Sequence, residues 1–420
     1  MLKSIYGTKD VLPKDIGKWN YIESVVKTIF ASFNYKEIRT PLFEETALFS
    51  RSIGEETDIV SKEMYTFLDR SETSVTLRPE MTASVVRAFI EHSLANQFSL
   101  NKLFYIAPMF RQERPQAGRL RQFHQFGAEA MGSASPVLDA EIIILAYTII
   151  KSLGLKDLTV KINSLGITSS RKNYIDILKK YLEPKLNDLS EESRKRFEKN
   201  VLRIFDSKSE NDIQIMQDAP KLIDYLDEES KNEFQTVQDI LGKEQIPFTL
   251  DSSLVRGLDY YSKTTFEIVS GKVGSQSALC GGGRYDGLIE LLGGDANYGV
   301  GFAAGIERII LALQNEETEL PELSSLDVYV VLLNKELVND YYLFANKLRK
   351  NKFKVEIDYL LRSVKAQMRE ANKLQAKYVA MFGGDEYAEN KVVIKNMFTG
   401  SQQVVPLEEA EKEILLSVGG

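Results

Sequence analysis

Four arginines, Arg111, Arg114, Arg119 and Arg121, crowd a segment that holds one acid, Glu113. That excess is too large for a hairpin salt bridge, and guanidinium forks in such a group suit phosphate recognition. The strand-like run that follows puts Phe123, Gln125, Gly127 and Glu129 on one face by its period of two. An aromatic, an amide, a gap and a carboxylate do not make an apolar sheet face. By spacing alone such a face is either solvent-exposed or the floor of a ligand site, and the arginines beside it point to a ligand floor. The chemistry implied is electrostatic handling of a phosphate next to a polar pocket.

The elements that must carry these residues read as follows. Apolar residues at helical spacing run from Asp15 to Phe33, Glu37 to Leu42 is strand-like up to Pro41, and Ser74 to Leu77 is a short strand leading into Arg78-Pro79-Glu80. Pro79 suits the first position of a helix, with Glu80 complementing its dipole. Lys102 to Arg111 and Arg121 to Met131 flank a loop with Pro115 and Gly118, which predicts an antiparallel hairpin with a charged tip. Residues 166–245 are rich in Lys, Glu, Asp and Ser with Leu and Ile at helical spacing, the texture of an inserted helical subdomain. Residues 314–325 lack periodicity and read as a linker. Beyond it, strands and helices alternate from Asp327 to Met381, which implies a small parallel or mixed sheet covered by helices. Two domains are therefore expected, 1–325 and 326–420, in an α+β chain.

Composition removes several alternatives. The 420 residues carry 53 Lys and Arg against 60 Asp and Glu, a net charge of −7, so any nucleic-acid contact must be regional. One such region is Lys347 to Lys377, with 10 basic and 3 acidic residues, which is either a solvated helix face or a polyanion contact. One cysteine, Cys280, and two histidines, His92 and His124, leave no intrachain disulfide, and too few such ligands for a Cys- or His-built metal site. The longest apolar run, Ile142 to Ile150, is too short to span a membrane, and the start MLKSIYGTKD has no signal-peptide core. A soluble, cytoplasmic protein with no resident metal is expected.

Longer motifs narrow the reading. FRQERPQAGRLRQFHQFGAE resembles motif 2 of the class II aminoacyl-tRNA synthetases, and GVGFAAGIERIILAL resembles their motif 3. LVRGLDYYSKTTFE, GGGRYDGL and TLRPEMTASVVRA are similar to the signature segments of the histidyl-tRNA synthetase branch. The resemblance runs from YGTKD through the carboxy-terminal domain. It implies a class II catalytic domain, an antiparallel sheet flanked by helices, with a helical insertion and a C-terminal α/β anticodon-binding domain.

By that resemblance Arg111 holds the ATP α-phosphate, Glu113 accepts from the adenine amino group, Phe123 stacks on the adenine and Arg308 meets the γ-phosphate. Glu129 and Tyr261, with Tyr260 beside them, bind the substrate imidazole, which offers one donor and one acceptor when neutral. Glu80, Thr82 and Gln125 bind the α-amino group, the lesser alternative for Glu80 being to cap its helix. Arg256 touches the α-phosphate and the substrate carboxylate, and Gly281 to Gly283 with Tyr285 form the pocket wall, the glycines leaving room for the ligand. Met81 stands where the family often has glycine, which is harmless if only its backbone is used and unfavourable if a positive φ is required.

The implied reaction forms histidyl-adenylate from L-histidine and ATP, with Mg2+ on the β and γ phosphates, and transfers histidine to histidine tRNA. Gln116 and Arg119 are expected to approach the acceptor end, and the basic stretch of the last domain the anticodon stem and loop. A homodimer is expected through motif 1, which matches Phe33 to Gly54. The main rival is the synthetase-like regulatory subunit of ATP phosphoribosyltransferase, which shares the catalytic fold. Residues 326–420 and the set Arg111, Arg256 and Arg308 argue against it. The RGLDYY and GGGRYDGL segments argue against a synthetase for proline, threonine or glycine.

Overall fold

A computed structural model describes residues 2–54, 57–255, 258, 260–271, 278–320 and 326–418. The chain divides into two units, residues 1–321 and 322–420. The first is built on an eight-stranded sheet in which the hairpin of Asn101–Phe110 and Gln122–Met131 lies next to the short edge strand Lys36–Glu37, with Tyr105 directly opposite Gly127. Gly299–Gly305 pairs antiparallel with Gln122–Met131, bringing Gly301 opposite Glu129. Ala278–Arg284, Ser262–Ser270, Leu158–Ser164 and Phe248–Leu250 continue the sheet in that order.

The two faces of this sheet differ as the period of two requires. Phe126, Ala128 and Ala130 join the core under the helices Pro13–Ser32, Pro136–Ser152 and Ile306–Asn315. Phe30 of the first helix stacks on Phe104 with ring centroids 4.5 Å apart and meets Phe126 edge-on. The opposite face packs Tyr105, Tyr260, Tyr261 and Tyr285 with Met81, Val85 and Phe89 around the helix Thr82–Glu91. That face carries the site.

Two expectations fail locally. The strand at the amino side covers only Lys36–Glu37, because Arg78 reaches across to take the carbonyls of Thr40 and Pro41 at 2.9 and 3.1 Å. Those carbonyls are therefore drawn to a buried guanidinium in place of a sheet partner. The helix expected from Pro79 begins at Thr82. Glu80 precedes it and uses both carboxylate oxygens to accept the Thr82 and Ala83 N–H groups, at 2.6 and 2.8 Å, satisfying donors the helix cannot pair itself.

The inserted segment folds as the helices Thr168–Leu182, Glu191–Lys199, Glu210–Gln217 and Glu228–Lys243 with short 3₁₀ turns between them. Asp212 knots it together by accepting from the hydroxyls of Ser190, Ser193 and Ser207, each at 2.6 Å. Burial opposes the charge on Asp212, but these bonds outweigh it and hold the carboxyl down to about 2.

The second unit is a five-stranded mixed sheet in the order Val355–Ile357, Val328–Leu332, Tyr378–Phe382, Lys391–Asn396, Gln402–Pro406. The first three strands run parallel and the last pairings are antiparallel. Helix Val364–Lys373 is tied to strand Val328–Leu332 by the Gln367 amide, which bonds both the N–H and the C=O of Leu332. Part of the positive stretch is spent internally, on Arg362 with Asp358 and Lys377 with Asp327. Lys350, Lys352, Lys365 and Arg369 are exposed and form no ion pair among the described residues. No described helix is long and apolar enough to cross a membrane.

Candidate active site

A cavity of about 200 Å³ opens on the second face of the large sheet, between the hairpin, the start of helix Thr82–Glu91 and the start of helix Ile306–Asn315. Of the residues singled out in the sequence, its wall contains Glu80, Met81 and Thr82 from the turn before the helix, and Arg111, Glu113, Arg119, Phe123 and Gln125 from the hairpin. Tyr260, Tyr261, Gly281 and Arg308 complete it. Arg256 lies outside the described residues.

Arg111 is held in place before any ligand arrives. Its Nε donates to the Pro79 carbonyl at 2.9 Å, and its guanidinium lies 5.3 Å from the centre of the Phe123 ring. Arg308 donates to the carbonyls of Gly118 and Ala278, at 3.3 and 2.9 Å. Burial lowers the proton affinity of Arg308, and the like charges of Arg119 and Arg111 add to that effect. Arg119 pairs with Glu113 at 3.4 Å. It therefore turns toward the other two arginines, whereas Gln116 lines a separate cavity on the far side of the loop with Trp19 and His124. The two side chains expected together at the tRNA acceptor end are parted because the tip closes on itself, with Gln116 and Arg119 exchanging backbone hydrogen bonds.

The inner end is acidic and aromatic. Glu129, expected to bind the imidazole, lies in the layer beneath the cavity and is absent from its lining, as is Tyr285, which was expected in the pocket wall. Thr82 Oγ1 and Tyr285 Oη each donate to it at 2.7 Å, one to each oxygen. Burial raises its carboxyl to about 8, with those two bonds opposing and the Glu80 charge adding to the rise. Burial also raises the Glu80 carboxyl, against the helix N–H groups that bind it. Gly301 is required opposite Glu129, because a Cβ there would strike the carboxylate. Gln125 Oε1 is buried without a hydrogen-bond partner, an acceptor left available on the cavity wall.

Two expectations shift in detail. Met81 has φ −110°, so the turn uses no positive φ and the side chain is simply buried. Gly282 and Gly283 leave room for the protein itself, since a Cβ on them would meet Phe302 and the Thr264 carbonyl; Gly281 alone of the three lines the cavity. Arg284 of the same segment is fully buried and pairs with Asp139 while donating to the carbonyls of Ser133 and Ser135.

Two participants escaped sequence reasoning. Tyr105 fills the gap over Gly127, its hydroxyl buried and unpaired, and the hairpin register was the signal for it. Glu307, next to Arg308, accepts from the His124 backbone N–H at 2.9 Å and contacts its Nδ1 at 3.0 Å. This fastens the helix that carries Arg308 to the strand that carries Phe123 and Gln125.

Residues 7–309 match the family model for histidyl-tRNA synthetase, and residues 327–416 match that for an anticodon binding domain. The chain belongs to the histidyl-tRNA synthetase family. Among curated relatives, the histidine–tRNA ligase of Caldanaerobacter subterraneus is 47% identical over 99% of both chains. That of Halothermothrix orenii is 48% identical over 98% of this chain and 99% of the relative. Among solved structures, apo S. aureus histidyl-tRNA synthetase superposes with a TM-score of 0.84 at 40% identity, covering 99% of this chain and 100% of that one. A Bacillus halodurans structure titled as an ATP phosphoribosyltransferase regulatory subunit/histidyl-tRNA synthetase shares the fold, with a TM-score of 0.65 at 20% identity over 89% of this chain and 96% of that one. Full-length identity to ligases does not favour the regulatory reading.

Proposed function

We propose that this chain is a histidine–tRNA ligase, activating L-histidine with ATP to histidyl-adenylate and passing the histidyl group to the 3′ end of histidine tRNA. The observation that carries the reading is one cavity in which two prepositioned arginines face an unsatisfied amide above a buried carboxylate, in a member of this family. ATP binds with its α-phosphate at Arg111 and its γ-phosphate at Arg308, the adenine against Phe123 and Glu113. The histidine carboxylate attacks the α-phosphorus, and Arg111 stabilises the charge that develops there. Because Pro79 and Phe123 already hold Arg111, little reorganisation accompanies the reaction. By the family's motif, Arg256 shares this role.

Gln125 Oε1 accepts from the α-ammonium, beside Glu80 and Thr82. The imidazole enters between Thr82 and the tyrosines Tyr260 and Tyr261 to reach Glu129. With its carboxyl near 8, Glu129 is protonated at neutral pH in the empty site, and it can share that proton with the ring. A pocket that satisfies two ring nitrogens rejects analogues lacking them. Mg2+ bound with the nucleotide would neutralise charge on its phosphates. Glu267, in the cavity wall and within electrostatic reach of Arg308, is the carboxylate suited to share that cation. Among the described residues no three His, Cys, Asp or Glu side chains gather for a resident metal.

Gln116 at the hairpin tip approaches the acceptor end, and the exposed Lys350, Lys352, Lys365 and Arg369 contact the anticodon arm. Two copies pair through residues 33–54, in the cytoplasm. Amino-acid-dependent ATP–pyrophosphate exchange, run with each of the twenty amino acids, tests the reading. Exchange with histidine alone is expected. Exchange with none from a folded protein, or with a different amino acid, overturns it.

A further inference from the structure

A second cavity, of about 520 Å³, adjoins the first and shares Arg111, Glu113, Arg119 and Arg308 with it. Its far wall comes from the helical insertion, which contributes Arg196, Arg203 and Lys208 with one acid, Glu192. Six cations therefore face four carboxylates, the other acids being Asp58, Glu63 and Glu113. Three of those four are already engaged: Glu192 with Arg196 at 2.6 Å, Glu113 with Arg119 at 3.4 Å, and Asp58 with Lys62, which lies outside the lining, at 3.2 Å. Lys208 is exposed and has no ion-pair partner among the described residues. Arg111 and Arg308 donate to carbonyls and to no carboxylate among the described residues. The Glu63 carboxyl is raised by burial and by its acidic neighbours, which further weakens the negative side of the balance.

We propose that this second cavity is a pyrophosphate site, in which Arg203 and Lys208 of the insertion hold the leaving group of adenylation opposite Arg308. The proposal rests on the ATP-dependent reading above. As the histidine carboxylate oxygen bonds to the α-phosphorus, the bond from that phosphorus to the oxygen bridging to the β-phosphate breaks. The electron pair leaves on pyrophosphate, which emerges on the Arg308 side. Pyrophosphate concentrates several charges on two adjacent phosphate groups and so matches cations converging from opposite walls. A nucleic-acid strand carries one charge per phosphodiester, spread along its length. The insertion thus becomes part of the adenylation machinery as well as a cover for the sheet.

The test uses the full chain, with Arg203→Gln/Lys208→Gln and the single surface variant Lys208→Gln. Two readouts are needed: calorimetric titration with inorganic pyrophosphate, and the KM for pyrophosphate in histidine-dependent exchange. Losing charge-assisted bonds predicts a rise of ~10-fold or more in Kd and KM for the double variant and several-fold for Lys208→Gln. The KM values for histidine and tRNA should stay within about twofold, since neither ligand gives up a charge-assisted bond. An unchanged pyrophosphate Kd in both variants overturns the proposal. So does a raised KM for tRNA with pyrophosphate unaffected, which would assign the cations to the acceptor strand. If wild-type protein shows no exchange while the variants still weaken pyrophosphate binding, the site stands and the ligase reading fails.

Discussion

At its inner end the cavity on the large sheet meets Glu80, Glu129 and a group of tyrosines, and no cation is among the groups that shift Glu129. At its mouth Arg111, Arg119 and Arg308 stand close enough that each of the first two lowers the proton affinity of the third. The inner carboxylates are satisfied by the protein's own donors, Thr82 and Tyr285 for Glu129 and the helix N–H groups for Glu80. At the mouth Arg111 and Arg308 lean on carbonyls and retain charge for an anion, while Arg119 pairs with Glu113. Recognition of a neutral or singly charged ring thus calls for a finished, low-dielectric socket, whereas phosphate chemistry calls for unspent charge held rigidly.

Removing charge from the mouth should be the most damaging change. Arg111→Ala is expected to lower the rate of histidyl-adenylate formation by about 10²–10³-fold in single-turnover assays, with an unfolding midpoint close to wild type. A loss below tenfold would erase the contrast between the two ends. At the inner end, Glu129→Gln keeps the shape and removes the exchangeable proton. It is expected to raise KM for histidine by roughly 10-fold while KM for ATP stays within about twofold. Equal effects on both substrates would mean that Glu129 supports the whole site and does not read the ring.

A third effect concerns stability. A carboxyl at about 4.5 in the unfolded chain and about 8 in the folded one contributes fully below pH 4.5, and its contribution is lost as pH rises through 8. Wild-type protein should therefore lose stability across that window, and Glu129→Gln should show a shallower decline by denaturant unfolding. Parallel profiles would place the titration elsewhere.

How much of this was legible beforehand depends on what kind of interaction decides each piece. Strand Ser74–Leu77 and the hairpin of Asn101–Phe110 and Gln122–Met131 follow from local pattern, and the face bearing Phe123, Gln125 and Glu129 follows from a period of two. The helix start at Thr82 did not, because Glu80 acts through its side chain as a cap while the proline suggested an earlier start. Gln402–Pro406 escaped because its first three residues are exposed and give no alternation to read. The inward turn of Arg119 and the depth of Glu129 depend on partners far away in sequence, Arg308 and Tyr285, whose approach no local pattern encodes.

The pairing of Gln122–Met131 with Gly299–Gly305, and the Glu307–His124 bonds between residues 183 apart, bear on how the chain is made. During synthesis on the ribosome the first half of the catalytic floor exists for a long interval with one strand edge bare, and the entire insertion emerges before the strand that closes it. The insertion, tied internally by Asp212 and its serines, can settle first and shield that edge until the last arginine arrives. A nascent chain stalled before residue 299 would then hold two bare strand edges, those of Gln122–Met131 and Ala278–Arg284, the form most in need of a chaperone.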